Sequence, residues 1–164
     1  MVPLARMQQY VRRVKLACRQ PVTIADNYEW WVRSGAAIAP DLDFIGVHTY
    51  PIWEGKTIEE ALGYTVENID RVRTALPGRQ VAILEAGWAS TASEFGERAS
   101  RAHQARYIAE LSAWANQTGT PVFFFEAFDE PWKGDPGNPS GAEKHWGLWD
   151  VDRVPKAAVQ GSRP

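Results

Sequence analysis

Two acidic residues in this sequence come directly after short apolar runs. Glu85 follows Val81–Leu84, and Glu126 follows Val122–Phe125. Runs of this kind are typical of strands that are covered on both faces, and parallel α/β folds bind ligands at the carboxyl ends of their strands. A carboxylate placed there is partly desolvated and could act on a ligand, although an ion pair with a nearby Arg or Lys is the simpler explanation.

The expected strand ends also carry other polar and aromatic side chains. Besides the two glutamates, these are Asn27, Tyr50, Trp53, Trp88, Asp129, Glu130, Trp132 and Lys133. The chain contains 8 tryptophans, and the flat apolar faces of sugar rings match the indole ring. Tryptophans also pack protein cores, so the composition leaves both explanations open. The concentration of these residues at one rim favours a site for a polar ligand with a flat face.

Composition argues against several other kinds of site. The 18 Lys and Arg against 20 Asp and Glu give a net charge of -2, with no basic run longer than two residues, which argues against nucleic acid as a partner. The histidines His48, His103 and His145 lack metal-ligand spacing, and no glycine-rich phosphate loop occurs, so neither a metal nor a cofactor is expected. No stretch approaches the ~18 apolar residues that indicate a membrane-spanning helix, so no membrane segment is expected in this chain.

Helical patterns alternate with the apolar runs. The predicted helices are Leu4–Cys18, the short Tyr28–Ser34, a helix that opens at the capping box Thr57–Glu60 and stops at Pro77 and Gly78, and Arg98–Asn116. The predicted strands are Val22–Ala25, Asp43–His48, Val81–Leu84 and Val122–Phe125. Such alternation implies an α/β fold with parallel strands and right-handed crossovers. The pattern alone fits either an open four-stranded sheet or half of a barrel.

Three segments, in the same order along the chain, resemble glycoside hydrolase family 17. Glu85–Trp88 reads Glu-Ala-Gly-Trp and is similar to the Glu-(Ser/Thr/Ala)-Gly-Trp ending of that family's seventh barrel strand. Phe44–Pro51 is similar to its sixth strand, which ends in Tyr-Pro, and Phe128–Lys133 to its eighth-strand Phe-(Asp/Asn)-Glu…Lys element. The resemblance implies one domain, residues 1–164, that forms half of a (β/α)8 TIM barrel and is equivalent to about strands 5 to 8.

The resemblance also implies roles for the residues at the rim. In the family, the glutamate of the seventh strand is the nucleophile that acts on β-1,3-glucan, and it corresponds to Glu85. Tyr50 would position Glu85, and the residues expected to bind the glucan or to balance the charge of the site are Asn27, Trp53, Trp88, Asp129, Glu130, Trp132 and Lys133. Two further segments, Ile24–Tyr28 and His145–Asp150, resemble bacterial members of the family.

One element of the family is missing from this sequence. The family's acid/base glutamate stands in an Asn-Glu pair after the fourth strand, and no Asn-Glu dipeptide occurs here. The chain begins at what resembles the following helix, so strands one to four are expected to be absent. Since four strands leave two open edges, we expect a homodimer, in which Glu126 or Glu130 of the partner subunit could take the place of the acid/base residue.

The sequence therefore predicts a family 17-like domain that acts on β-1,3-glucan by retaining hydrolysis or transglycosylation, with Glu85 as the nucleophile. One alternative is a non-catalytic half barrel that binds glucan, and another is an excised folding fragment. A third, from a different class, is an unrelated open α/β sheet that binds a small ligand. Activity on laminarin-type oligosaccharides would separate catalysis from binding alone.

Overall fold

Four parallel strands alternate with helices along the chain. The computed structural model describes residues 2–160. The elements are α1 (Leu4–Ala17), β1 (Ala25–Asn27), α2 (Tyr28–Ser34), β2 (Ile45–Thr49), α3 (Ile58–Ala75), β3 (Val81–Ala86), α4 (Arg101–Thr118), β4 (Val122–Phe124) and α5 (Ala157–Gln160). The strands form one parallel sheet in the order β1-β2-β3-β4. The predicted α/β alternation is therefore confirmed.

Local sequence signals set the ends of the helices. α3 begins at the predicted capping box, where the backbone N–H of Thr57 donates to the carboxylate of Glu60 at 2.8 Å. α2 begins after Asn27, whose side-chain oxygen accepts a hydrogen bond from the backbone of Trp30 at 2.8 Å. α4 ends at Gly119, which adopts a left-handed conformation with φ of 66°. In the described part of the chain, no helix is both long and apolar enough to cross a membrane.

The helices cover only one face of the sheet. Ile45, Val47 and Ile83 have no exposed surface and belong to the hydrophobic core. On the opposite face, Phe123 is 61% exposed, although its two neighbours in β4 pack toward the core. Within residues 2–160, β1 and β4 each pair with a strand on one side only. The sheet thus has one open face and two open edges, as expected for half of a closed barrel.

All four strands differ from the predicted bounds. β2 was expected at Asp43–His48 but forms at Ile45–Thr49, and β4 ends at Phe124 instead of Phe125. β1 was expected at Val22–Ala25 but forms at Ala25–Asn27. Side-chain hydrogen bonds occupy the earlier residues instead: the backbone of Val22 donates to Asp43 at 2.7 Å, and the hydroxyl of Thr23 donates to a backbone carbonyl at 2.6 Å. β3 continues to Ala86, so Glu85 is part of the strand and shares its rigid backbone.

Candidate active site

Glu85 lies at the carboxyl end of β3, with its carboxylate at the rim of the sheet. The Tyr50 hydroxyl donates a hydrogen bond to Oε2 of Glu85 at 2.8 Å. Nδ1 of His48 lies 3.4 Å from the same oxygen. The Glu85 side chain is 35% exposed, so a ligand can reach it. The structure therefore brings Glu85 and Tyr50 together as the sequence predicted.

A β-bulge determines the direction of Glu85. In the ladder between β2 and β3, Val47 pairs with Ile83 and His48 pairs with Glu85, so that Leu84 is an extra residue in β3. Side chains of a regular strand alternate between faces, and a bulge re-aims the residue that follows it. Strict alternation would place Glu85 on the helix-covered face with Ile83. The bulge lets its carboxylate turn to the open rim.

Tyr50 is a fixed hydrogen-bond donor to Glu85. Burial raises the pKa of the Tyr50 hydroxyl, and its hydrogen bond to Glu85 raises that pKa further. The ring packs edge-on against Phe125 and Trp146, at centroid distances of 6.1 and 5.2 Å. Because the hydroxyl keeps its proton, it can donate to the carboxylate but cannot repel it as a phenolate would. Tyr50 engages Oε2, and Oε1 of Glu85 has no hydrogen-bond partner among residues 2–160.

A small aromatic pocket opens beside Glu85. It encloses about 220 Å³ and is lined by Tyr50, Trp53, Glu85, Phe125, Glu143 and Trp146. Trp53 is 48% exposed, and Phe95 supports its ring edge-on at a centroid distance of 4.6 Å. The Trp146 ring lies tilted to that of Trp53 at 6.4 Å. Aromatic walls with carboxylates between them suit a polar ligand with a flat apolar face, such as a sugar ring.

A cluster of three charged side chains follows β4. Nζ of Lys133 lies 2.7 Å from Oε2 of Glu126 and also contacts the carboxylate of Glu130. Burial raises the pKa of Glu126, although the hydrogen bond from Lys133 opposes the shift; the same lysine lowers the pKa of Glu130. The buried Lys144 donates to backbone carbonyls of the loop that carries Lys133, among them Asp135 at 2.8 Å. One lysine thus pairs with both glutamates within the same chain.

Two residues expected at the glucan surface are buried instead. Trp88 has no exposed surface, and its Nε1 donates to the carbonyl of Arg98 at 2.9 Å. Asp129 is 8% exposed, and it accepts hydrogen bonds from Nζ of Lys156 at 2.6 Å and from the backbone of Gly147 at 3.0 Å. This burial does not support the expected sugar stacking by Trp88, and Asp129 fits the other role expected of it, balancing charge, through its ion pair with Lys156. Both side chains have their partners inside the fold.

Two further predicted residues lie at the carboxyl ends of the outer strands. Trp132, in the segment after β4, is 73% exposed. Asn27 pairs with His48 in the ladder between β1 and β2, but its side chain caps α2. Neither residue lines the pocket beside Glu85, so their contacts with glucan stay predictions. Among residues 2–160, no three His, Cys, Asp or Glu side chains are grouped as a metal site would require.

A steric constraint explains why the Glu-Ala-Gly-Trp segment has glycine at position 87. A Cβ atom on Gly87 would lie 2.3 Å from the carbonyl oxygen of Phe125, which is far inside contact distance. At Gly147 it would lie 2.1 Å from the backbone nitrogen of Asp129. Both positions therefore require glycine so that the backbones next to the pocket can approach closely.

Sequence reasoning missed several residues that build the pocket. Glu143 and Trp146 come from the loop rich in Gly and Pro after β4, where no spacing relates them to Glu85. Gln104 of α4 is 1% exposed and donates to the carbonyls of Trp88 at 2.9 Å and Trp146 at 3.2 Å. This buried amide ties the segment after β3 to the segment that supplies Trp146. The sequence offered one signal for such a role, because Gln104 is a polar residue on the apolar side of α4.

Comparison with known proteins identifies the family of this half barrel. A sequence profile of the BtgE/BtgC glycoside hydrolase domain matches residues 3–147. The chain belongs to the BtgE/BtgC glycoside hydrolase family. Its resemblance to glycoside hydrolase family 17 is confirmed by the relatives and structures that it matches.

Three matches illustrate how much of a family 17 protein this domain represents. A glucan 1,3-beta-glucosidase of Arthroderma benhamiae is 32% identical over 138 residues, which are 74% of this chain and 43% of that protein. The family 17 beta-1,3-glucanosyltransferase of Rhizomucor miehei is 28% identical with a TM-score of 0.84, over 96% of this chain and 57% of that one. An active-site mutant of that enzyme in complex with laminaritriose, also 28% identical, has a TM-score of 0.83 over the same shares.

The chain therefore spans about half the length of the relatives it matches. Its four β/α units form half of a (β/α)8 barrel, which confirms the predicted fold class. The predicted likeness to bacterial members in particular stays a prediction.

Proposed function

We propose that this BtgE/BtgC domain carries the nucleophile of a retaining β-1,3-glucan site that works by hydrolysis or transglycosylation. The observation that supports it best is the Glu85 carboxylate, fixed by Tyr50 at 2.8 Å beside an aromatic pocket. The relatives named glucan 1,3-beta-glucosidase and beta-1,3-glucanosyltransferase support the substrate class. The complex of a family 17 structure with laminaritriose supports it further.

In this proposal Glu85 attacks the anomeric carbon of a glucosyl unit in the pocket. A bond forms between that carbon and Oε1 as the bond to the leaving sugar oxygen breaks, which gives a glycosyl ester on Glu85. Tyr50 holds Oε2 and so orients the carboxylate for the attack. Transfer of the glycosyl group to water is hydrolysis, and transfer to a sugar hydroxyl is transglycosylation.

The leaving oxygen requires a proton from a second carboxyl group, about 5–5.5 Å from the nucleophile in a retaining site. We propose that a homodimer supplies it through Glu126 or Glu130 of the partner subunit. Burial raises the pKa of Glu126, which favours the protonated form that an acid catalyst needs. The ion pair with Lys133 in its own chain opposes this role, so Glu126 must exchange that partner for the substrate.

An activated donor tests Glu85 without the second carboxyl group. Fluoride is a good leaving group that departs without full protonation, so β-laminaribiosyl fluoride should glycosylate Glu85 in the chain as it stands. We expect fluoride release of at least one equivalent per chain. Binding of laminaritriose without fluoride release would favour the non-catalytic glucan-binding alternative. Absence of both would overturn the proposal.

The oligomeric state is a second prediction. A groove of about 600 Å³ lies at the amino ends of the strands, and its lining includes Phe44, Ala82 and the 61% exposed Phe123. Because open strand edges and apolar surface favour association, we expect a two-fold dimer in which β1 of one copy pairs with β4 of the other. Light scattering should give twice the chain mass, and Phe123→Lys should shift the equilibrium toward monomer. A wild-type chain that stays monomeric over a wide concentration range would contradict this.

A further inference from the structure

Glu143 occupies the pocket beside Glu85, on a backbone that is anchored on both sides. It lies in a short 3-10 helix that begins at Ala142 and ends at Lys144. Both of these flanking residues are buried, at 0% and 6% exposure. The backbone N–H of Ala142 donates to the carboxylate of Glu94 at 3.0 Å. The position of Glu143 at the pocket is therefore set by the fold.

The carboxylate of Glu143 has no polar partner in the described part of the chain. Among residues 2–160, it takes part in no ion pair and no hydrogen bond, in contrast to Glu126, which pairs with Lys133. The adjacent Lys144 donates to backbone carbonyls instead. The negative charge of Glu143 nevertheless acts on the hydroxyl of Tyr50, which binds the nucleophile. Glu143 is thus an available acceptor close to the reacting group.

We propose that Glu143 accepts hydrogen bonds from hydroxyl groups of the glucosyl unit that occupies this pocket. The inference rests on the proposed glucan function and adds a substrate-binding residue to it. A carboxylate is an acceptor with two oxygens, and sugar hydroxyls are donors in neighbouring pairs, so the two groups match. Trp53, which is 48% exposed, supplies the apolar wall against which a ring face can pack. Recognition of this unit therefore depends on Glu143 as well as on the nucleophile.

One chain is sufficient to test this inference. The six side chains that line the pocket belong to this chain, so the inference is tested on the protein as it exists. Titration with laminaritriose, followed by calorimetry or by tryptophan fluorescence, measures the affinity directly. Glu143→Gln keeps the size of the side chain and removes the charge. Glu97→Gln, at an exposed position outside the pocket, is the matched control.

We expect Glu143→Gln to weaken laminaritriose binding by about ten- to a hundredfold, the range for loss of a charge-assisted hydrogen bond. Glu97→Gln should leave the affinity unchanged, and both variants should unfold at the same temperature as the wild type. Equal affinities of the wild type and Glu143→Gln would overturn the inference and leave the glucan site intact. If the wild type neither binds laminaritriose nor releases fluoride, the proposed function itself fails. Fluoride release without laminaritriose binding would overturn only the present inference.

Deoxy sugars identify the contact itself. For each monodeoxy analogue of laminaribiose that lacks a bound hydroxyl, the deficit of Glu143→Gln relative to the wild type should shrink, because one hydrogen bond to this side chain is absent in both proteins. For the other monodeoxy analogues the variant should keep its deficit. A uniform deficit across all the analogues would mean that Glu143 acts only through its charge, and would contradict a direct contact with a hydroxyl.

Discussion

Replacement of Glu85 by glutamine should lower fluoride release from β-laminaribiosyl fluoride by at least about a thousandfold. An amide oxygen is a far weaker nucleophile than a carboxylate, and removal of a catalytic nucleophile in a covalent mechanism can cost up to ~10⁶ in rate. Glutamine has the size of glutamate, and its carbonyl can still accept the hydrogen bond from Tyr50. The fold should therefore be kept while the chemistry is lost.

Two companion variants make this prediction specific. Tyr50→Phe removes the hydroxyl that fixes Oε2 of Glu85, and we expect an intermediate loss of about ten- to a hundredfold because the nucleophile stays but is less well oriented. Glu97→Gln, which is exposed and outside the pocket, should have the wild-type rate. Fluoride release by Glu85→Gln at the wild-type rate would remove Glu85 from the mechanism.

Replacement of Lys156 by methionine should destabilise the protein by about 3–5 kcal/mol, the usual cost of leaving one member of a buried ion pair without its partner. Nζ of Lys156 lies 2.6 Å from Oδ1 of Asp129 and 2.8 Å from the hydroxyl of Ser90. The two charged side chains are 1% and 9% exposed. Asp129 also receives the backbone N–H of Gly147, so the pair joins the C-terminal segment to the loop that supplies the pocket. Urea unfolding measures the loss.

A matched control separates burial from charge. Lys15 forms an ion pair with Asp43 at the same distance of 2.6 Å, but its two side chains are 34% and 37% exposed. Because solvent screens exposed pairs, Lys15→Met should change the free energy of unfolding far less than Lys156→Met. The double variant Lys156→Met with Asp129→Asn should recover part of the loss, since the orphaned charge is removed. Equal changes in the free energy of unfolding for the two single lysine variants would show that the buried ion pair stabilises the fold no more than the exposed one.

Features of the fold that depend on local signals could be predicted from the sequence. α2 forms at the expected Tyr28–Ser34, and α3 begins at the capping box of Thr57 and Glu60. Glu85 was predicted to be at the end of a strand because an acidic residue follows a short apolar run, and the structure places it there beside Tyr50. Strand ends and helix caps are set by residues that are close in sequence.

Features that depend on tertiary packing could not be predicted in this way. Trp53 and Trp88 both follow strands, but Trp53 is half exposed at the pocket while Trp88 has no exposed surface. The difference arises from α4, which packs over the segment after β3 and not over the one after β2. Glu143 and Lys156 come from irregular or terminal segments, where no periodicity indicates what a side chain will contact. The partner of each such residue is distant in sequence, and only the folded chain identifies it.

The most direct test of the nucleophile is to locate a trapped glycosyl group. With 2-deoxy-2-fluoro-β-laminaribiosyl fluoride, the attacking carboxylate displaces fluoride, and the 2-fluoro group slows hydrolysis of the ester that forms. Proteolysis and tandem mass spectrometry then identify the modified residue. We predict one modification per chain, on Glu85, in the wild type and none in Glu85→Gln. A modification on Glu126, Glu130 or Glu143, or an unmodified chain at full occupancy by the ligand, would contradict the assignment of Glu85 as the nucleophile.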